Sequence, residues 1–434
     1  MNRLRIMLNN RKRFVISATI AAVLVLLAGG ANALAQPTVR CVPSHTINPS
    51  CSATNYTHIQ DAVTAASSGD IILVGPGTYL ESVTISDSGG TRDGISLFGA
   101  QAGNDARVDR HDPRKESIVD GGGTGLAFYV EANYVVIDGF TVQGGTPIGI
   151  NVDPGLLGPQ VLNNILQNNS TGVYLQAGVQ GATVERNLFK TNNLTPAPFG
   201  VGIVSSGYNL SPPVAGLVIT ENEFIGNKAA AMAVNYTTGA TITRNTSEKD
   251  GAFVVLLYTT YSQISHNRGK NFGHGAGEPG WPADAAIDVG PGNLAVEIGY
   301  NELEDGKAPI NNGIAFTTAF DPGYSHLLNV IGNKISRFPE YGIAAGDLPG
   351  GGTLYNSSIL NNEVYDNGID GIFIAGSLAF NQGIDLFDND AEGNANKDCE
   401  DDTGPLNTWF NNIGKRSSPA GLCTPVTLHD QDYH

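Results

Sequence analysis

The sequence predicts an all-β protein whose chain winds in repeated coils of about 22 residues. Three observations carry this. Gly is abundant at 55 of 434 residues while charged residues make up only 15%, a balance that suits short strands and turns. Asparagines recur in pairs five apart, in VERNLFKTN (184–192), ITENEFIGN (219–227), ILNNEVYDN (359–367) and LFDNDAEGN (386–394). An aliphatic residue stands three before the first asparagine of each pair.

The asparagine anchors are Asn164, Asn187, Asn222, Asn245, Asn267, Asn301, Asn333, Asn362 and Asn389, with Asp138 aligned ahead of them. The aliphatic column is Val135, Val161, Val184, Ile219, Ile242, Ile264, Ile298, Val330, Ile359 and Leu386. A second strand precedes the first in each coil, as GINV (149–152), GVYL (172–175), AIDV (286–289), GIAF (313–316) and GIFI (371–374). Short strands with aliphatics inward and polar residues outward, stacked coil on coil, give about a dozen coils. A propeller blade would repeat at about 40–45 residues, too long for these gaps. Because the asparagines recur in every coil, they read as architecture: Asn tolerates left-handed backbone and stacks into hydrogen-bonded ladders.

The ends follow from the need to cover an open apolar cross-section. Residues 1–35 hold five Lys/Arg, the apolar run VISATIAAVLVLLAGG and Ala33-Leu34-Ala35, the pattern of a secretory signal peptide. Residues 36–56 form an N-terminal disulfide segment. The β-helical coils are expected over 57–395, opened by a helical cap with Thr57 as N-cap and Ile59, Ala62, Val63 and Ala66 on its apolar face. A C-terminal cap follows at 396–423, with Trp409 and Phe410 covering the last coil, then a flexible tail, 424–434. Cys41, Cys51, Cys399 and Cys423 bracket the chain, and proximity favours the disulfides 41–51 and 399–423 among three connectivities.

Without residues 1–35 the 24 Lys/Arg fall by five to 19 against 41 Asp/Glu, a net charge of −22. Such a surface excludes nucleic acid as a partner and disfavours polyanions unless Ca²⁺ or a basic patch intervenes. No run after the signal peptide is long and apolar enough to span a membrane. The expectation is a secreted, extracellular or cell-surface protein, a monomer.

IQDAV…GDIILVGPGTY (59–79), YVVIDGFTVQGG (134–145) and the N-x₄-N coils resemble right-handed parallel β-helix repeat proteins of the pectin-lyase-like superfamily. The resemblance covers about residues 55–415. It implies a single right-handed parallel β-helix with a carbohydrate groove along one outer face, and polysaccharide as partner. The implied activity is that of a polysaccharide lyase or a glycoside hydrolase. The alternative is a non-catalytic structural, glycan-binding or adhesive envelope protein, since these motifs are shared by both kinds.

Two candidate regions follow. The residue before the anchor is Arg186, Glu221, Arg244, His266 and Tyr300 in five consecutive coils. If the turn exposes them, Arg186, Arg244 and Tyr300 can bind substrate; otherwise they form a solvated charge ladder. The second is HNRGKNFGHGAGEPGWPADAAIDV (266–289), where His266, Arg268, Lys270, His274, Asp284 and Asp288 are the candidate catalytic groups and Trp281 a sugar-stacking face. Gly269 breaks the apolar column there, so function is expected around it. Gly273-His274-Gly275 matches a tripeptide of polygalacturonase-like hydrolases. That family's NTD is missing, and the lone Asp-Asp is Asp401-Asp402, so its roles do not carry over. Glu400-Asp401-Asp402 and Asp385-Asp388-Asp390 supply oxygen ligands of the kind Ca²⁺ takes. Sequons occur at Asn55, Asn193 and Asn235.

Overall fold

The computed structural model describes residues 36–43, 56–87, 92–108, 110, 112–194, 200–206, 212–273, 283–317, 325–346, 354–376 and 381–425. The chain divides into residues 1–37 and Thr38–His434; the second unit is a parallel β-helix. Its described strands form three long parallel sheets, of 14, 13 and 11 strands, called here sheets A, C and B. Each coil runs from sheet C to sheet A to sheet B and on to the next strand of sheet C. One coil, for instance, uses Thr171–Gln176, Thr183–Glu185 and Leu188–Lys190 before Val201–Ser206.

The aliphatic column is a true stack. Val161, Val184, Ile219, Ile242 and Ile264 are paired neighbours in sheet A, and Ile298, Val330, Ile359 and Leu386 continue the row. All are buried. At the N-terminal end the register departs from the sequence alignment. Ile137, not Val135, pairs with Val161, and Phe140 stands where later coils have asparagine, its N–H donating to Asn164 Oδ1 at 2.9 Å.

From Asn164 onward the anchors form a continuous ladder. The backbone N–H and Nδ2 of each asparagine donate to Oδ1 of the next, as from Asn187 to Asn222 at 3.0 Å for both bonds. The ladder ends at Asn412. The residue before each anchor takes left-handed backbone, with φ from 50 to 56° at Asn163, Arg186, Glu221, Arg244, His266 and Tyr300. That conformation turns the chain from sheet A into sheet B, breaks strand alternation and sends these side chains outward while the asparagine points in. Buried amides lose water, and the ladder replaces it with donors and acceptors in kind.

A second ladder, Asn169–Asn192–Asn227, ends on the carboxylate of Asp250. In the next three coils Phe272, Gly306 and Phe338 occupy its position, and it resumes at Asn367–Asn394. The interruption is a packing exchange. A Cβ at Gly269 would lie 2.2 Å from the Phe272 ring, and Phe272 stacks between Phe253 and Phe338 at centroid distances of 6.2 and 6.3 Å. The break at Gly269, expected from sequence to mark function, makes room for core aromatics instead.

The coils begin earlier and run later than expected: Val39–Val42 pairs with Ile71–Val74, and Thr408–Phe410 pairs with Asp385–Phe387. The cap helix spans Ile59–Thr64 and buries Ile59, Ala62 and Val63. Thr57 is not its N-cap. The first-turn amides of Ile59 and Gln60 are capped by the Glu81 carboxylate at 3.0 and 2.9 Å. At the other end Trp409 packs on the core and donates to Asp401 Oδ2 at 2.7 Å. Phe410, its neighbour on the strand, alternates outward and is 67% exposed, so it does not cover the last coil. Cys399 and Cys423 are disulfide-bonded with Cα atoms 6.0 Å apart. Cys41 is also disulfide-bonded, while Cys51, expected to be its partner, lies outside the described residues, as do residues 1–35. Among the described residues no helix is long and apolar enough to cross a membrane.

Candidate active site

The sequence-predicted residues fall on two different faces. His266 occupies the corner between sheets A and B and stacks on Tyr300, centroids 5.2 Å apart. Arg268 and Lys270 lie on the outer side of sheet B. Arg268 Nε donates to Glu302 of the next coil at 2.7 Å, and Lys270 sits 3.6 Å from Glu248 of the preceding one. Arg186 and Arg244 share Glu221, at 3.0 and 3.5 Å. These are exposed ion pairs between neighbouring coils, each worth about 0–1 kcal/mol. His274 and Trp281 lie outside the described residues.

Asp284 and Asp288 belong to sheet C. Strand Ala285–Val289 pairs with Ala252–Leu257 on one side and Asn312–Phe316 on the other. Ile287 and Val289 face the core, so Asp288 between them faces outward. Asp288 is nevertheless only 2% exposed. Its Oδ1 accepts from Thr317 Oγ1 at 2.8 Å and its Oδ2 from the Asp284 N–H at 3.3 Å. Burial pushes its carboxyl up to about 6.

Asp284 immediately precedes the strand and is partly exposed. Its carboxylate accepts from Asn312 Nδ2 at 3.1 Å, and its carbonyl accepts the N–H groups of Asn311 and Asn312. Burial, then the charges of Glu340 and Asp288, push Asp284 up to about 7. Asp284 and Asp288 of one coil are thus joined on this outer edge by Glu340 from two coils on, near enough for its charge to act on Asp284. The sequence pointed to the first two and missed Glu340, which lies 56 residues from Asp284 in the chain. It also missed Asn312 and Thr317, although both are set by the coil repeat, in and just after the strand beside Asp284 and Asp288.

Further along sheet C, Asp370 is pushed up to about 6 by burial and by Glu400, and Tyr341 stacks on Phe373 at 4.9 Å. The acidic runs considered for Ca²⁺ are dispersed. Asp401 is occupied by donors from Thr403, Asn407 and Trp409, and Asp388 accepts from Asn411 across the corner. Among the described residues no group of three or more His, Cys, Asp or Glu is arranged to hold a metal ion. Of the sequons, Asn193 is exposed and Asn235 is buried, while Asn55 lies outside the described residues.

A model of the right-handed β-helix region matches residues 50–246. Among solved structures, the DFA-IIIase of Arthrobacter chlorophenolicus A6 without its lid, in complex with GF2, aligns over 86% of this chain and 98% of its own. The TM-score is 0.54 at 13% identity. The alginate lyase of Paenibacillus sp. str. FPU-7 aligns over 76% and 94%, with a TM-score of 0.48 and 17% identity. Pectate lyase Pel9A aligns over 87% and 78%, at 0.41 and 13%. At such identities the likeness is one of fold. No curated protein sequence matches the chain.

Proposed function

We propose, from its right-handed parallel β-helix fold, that the protein is a polysaccharide-directed glycoside hydrolase. The single observation that supports the reading is the carboxyl cluster on the outer edge of sheet C. Glycoside hydrolysis uses one carboxylic acid held protonated and one carboxylate held ionised. Asp284, pushed up to about 7 and partly open to solvent, is suited to give its proton to the glycosidic oxygen. Glu340 is the partner carboxylate that takes the proton of the attacking water. Asp288 is too buried to touch substrate. It acts as a positioning residue, holding the Asp284 N–H and, by its charge, keeping the proton on Asp284. A lyase needs a base for the C5 proton, often a deprotonated Lys or Arg, and the candidates Arg268 and Lys270 are engaged in ion pairs on sheet B.

The test is a panel of neutral, pectic and alginate glycans incubated with the protein, followed for new reducing ends and unsaturated ends. Reducing ends without unsaturation, lost in Asp284→Asn and Glu340→Gln, are expected. Because the acid must be protonated, kcat/KM should fall as pH rises through about 7. Unsaturated ends would overturn hydrolysis. Binding without product would favour the glycan-binding alternative.

A further inference from the structure

Resting on the hydrolase reading, we propose that the substrate is a neutral, hydroxyl-rich glycan rather than a uronate polymer, and that Asn235 accepts one of its hydroxyls. The first support is the composition of the face. Along consecutive strands of sheet C the outward position is Asn151, Tyr174, Val204, Ala233, Val255 and then Asp288. No Lys or Arg stands among them. The described connections 177–182, 258–262 and 290–296, which lead from sheet C into sheet A, contain no Lys or Arg, whereas those entering from sheet B carry Lys228 and Lys307. What the face does carry is negative: Asp153, which accepts from Gln176 at 3.2 Å, and the cluster of Asp284, Asp288 and Glu340. A uronate brings one carboxylate per sugar to this surface, in a protein of strong negative charge, where repulsion disfavours it.

The second support is independent. Asn235 ends the strand Ala230–Asn235, beside Leu257. Val234 before it faces the core, so the amide faces outward, yet Asn235 is only 8% exposed. Its Oδ1 is buried and has no hydrogen-bond partner among the described residues. A buried amide oxygen without a donor is costly, and such groups are normally satisfied. Asn235 lies two strands from Ala285–Val289 and level with the far end of that strand from Asp284, about 10 Å away across the sheet and about 20 Å along it. The missing partner is a donor, and a sugar hydroxyl supplies one. The carboxylates on the same face are likewise acceptors.

The experiment measures binding of inulin-type, β-glucan and α-glucan oligosaccharides against oligogalacturonate and oligomannuronate, by calorimetry on Asp284→Asn and by turnover on the wild type. Neutral oligosaccharide should bind and uronates should not. Asn235→Ala should raise KM for the neutral substrate about tenfold, leaving the pH profile of kcat unchanged. Lys228→Ala and Lys307→Ala, in connections from sheet B into sheet C, should leave neutral binding unchanged. If a uronate is cleaved with dependence on Asp284, the hydrolase reading stands and this inference falls. If neutral oligosaccharide binds through Asn235 but is never cleaved, the inference stands and the hydrolase reading falls. Binding of uronate that depends on Lys228 or Lys307, or neutral binding unaffected by Asn235→Ala, overturns the proposal. Wild-type binding alone discriminates the glycan classes if Asn235→Ala does not fold.

Discussion

The corner between sheets A and B and the outer face of sheet C belong to the same coils yet differ in how their polar groups are treated. At the corner, every ladder asparagine is buried and answered by an identical residue one coil away. The charged residues outside it pair with their neighbours in the same way. On sheet C the polar groups do not repeat. Asp284, Asp288 and Asp370 are carboxyls raised by burial, and Asn235 leaves an acceptor unanswered. In a repeat protein, chemistry that recurs in each coil serves stacking, and chemistry that occurs once is free for a ligand.

The contrast can be broken or sharpened by substitution. The largest effect is expected at Asp284→Asn. It should lower kcat by about 10²–10⁴-fold with melting unchanged, if Asp284 supplies a general acid; hydrolysis rates and a thermal melt check both. Next is Asn187→Leu. It removes the acceptor for the N–H and Nδ2 of Asn164 and the donor to Val161 O, so unfolding in urea should show a loss of about 2–4 kcal/mol. A loss of activity there without loss of stability would erase the distinction between the two regions.

Asp250 offers a finer test, since it is a titratable group placed in a ladder. It is fully buried, and burial pushes its carboxyl up to about 7. The folded state therefore holds a proton that the unfolded chain releases near its ordinary value of 3.8. The associated stability is complete below about pH 4 and is lost as pH rises through about 7. Asp250→Asn removes the buried charge and should raise stability at pH 8 by roughly 2 kcal/mol, flattening this part of the pH dependence. Melts at pH 4, 6 and 8 check the sign. The smallest effect is expected at Arg244→Ala. Its ion pair with Glu221 is exposed and its bond to Thr220 Oγ1 at 3.1 Å only part-buried, so stability should change by less than about 1 kcal/mol, with turnover untouched.

These regions also differ in how legible they were in the sequence. The ladder and the aliphatic row could be read because each coil restates them. The alignment slipped by two residues only in the first coil it covered, where Phe140 replaces the asparagine and leaves Val135 and Ile137 as rival aliphatics. The ends were harder, because capping there is single and non-local: Glu81, more than 20 residues from the helix start, does what Thr57 was expected to do. The candidate site was half legible. Asp284 and Asp288 could be found from local density, but Glu340 joins them only through the winding of the chain. Asn235 resembles every other asparagine in sequence, and only its burial without a donor separates it. Arg268 and Lys270 stand apart from them for the converse reason. They cluster with the aspartates along the chain, whereas successive sheets of a coil face different directions.

The asparagine ladder has one more property. Each rung gives its two protons to the rung that follows in the chain, from the Phe140 amide through to Asn412. The stack therefore has a direction, and any whole coil that begins and ends at the same rung presents the same donors and acceptors of this ladder to its neighbours. Duplicating or excising such a unit would leave every rung matched, so the protein's length can be edited by the coil, while the face of sheet C would be lengthened or shortened in step.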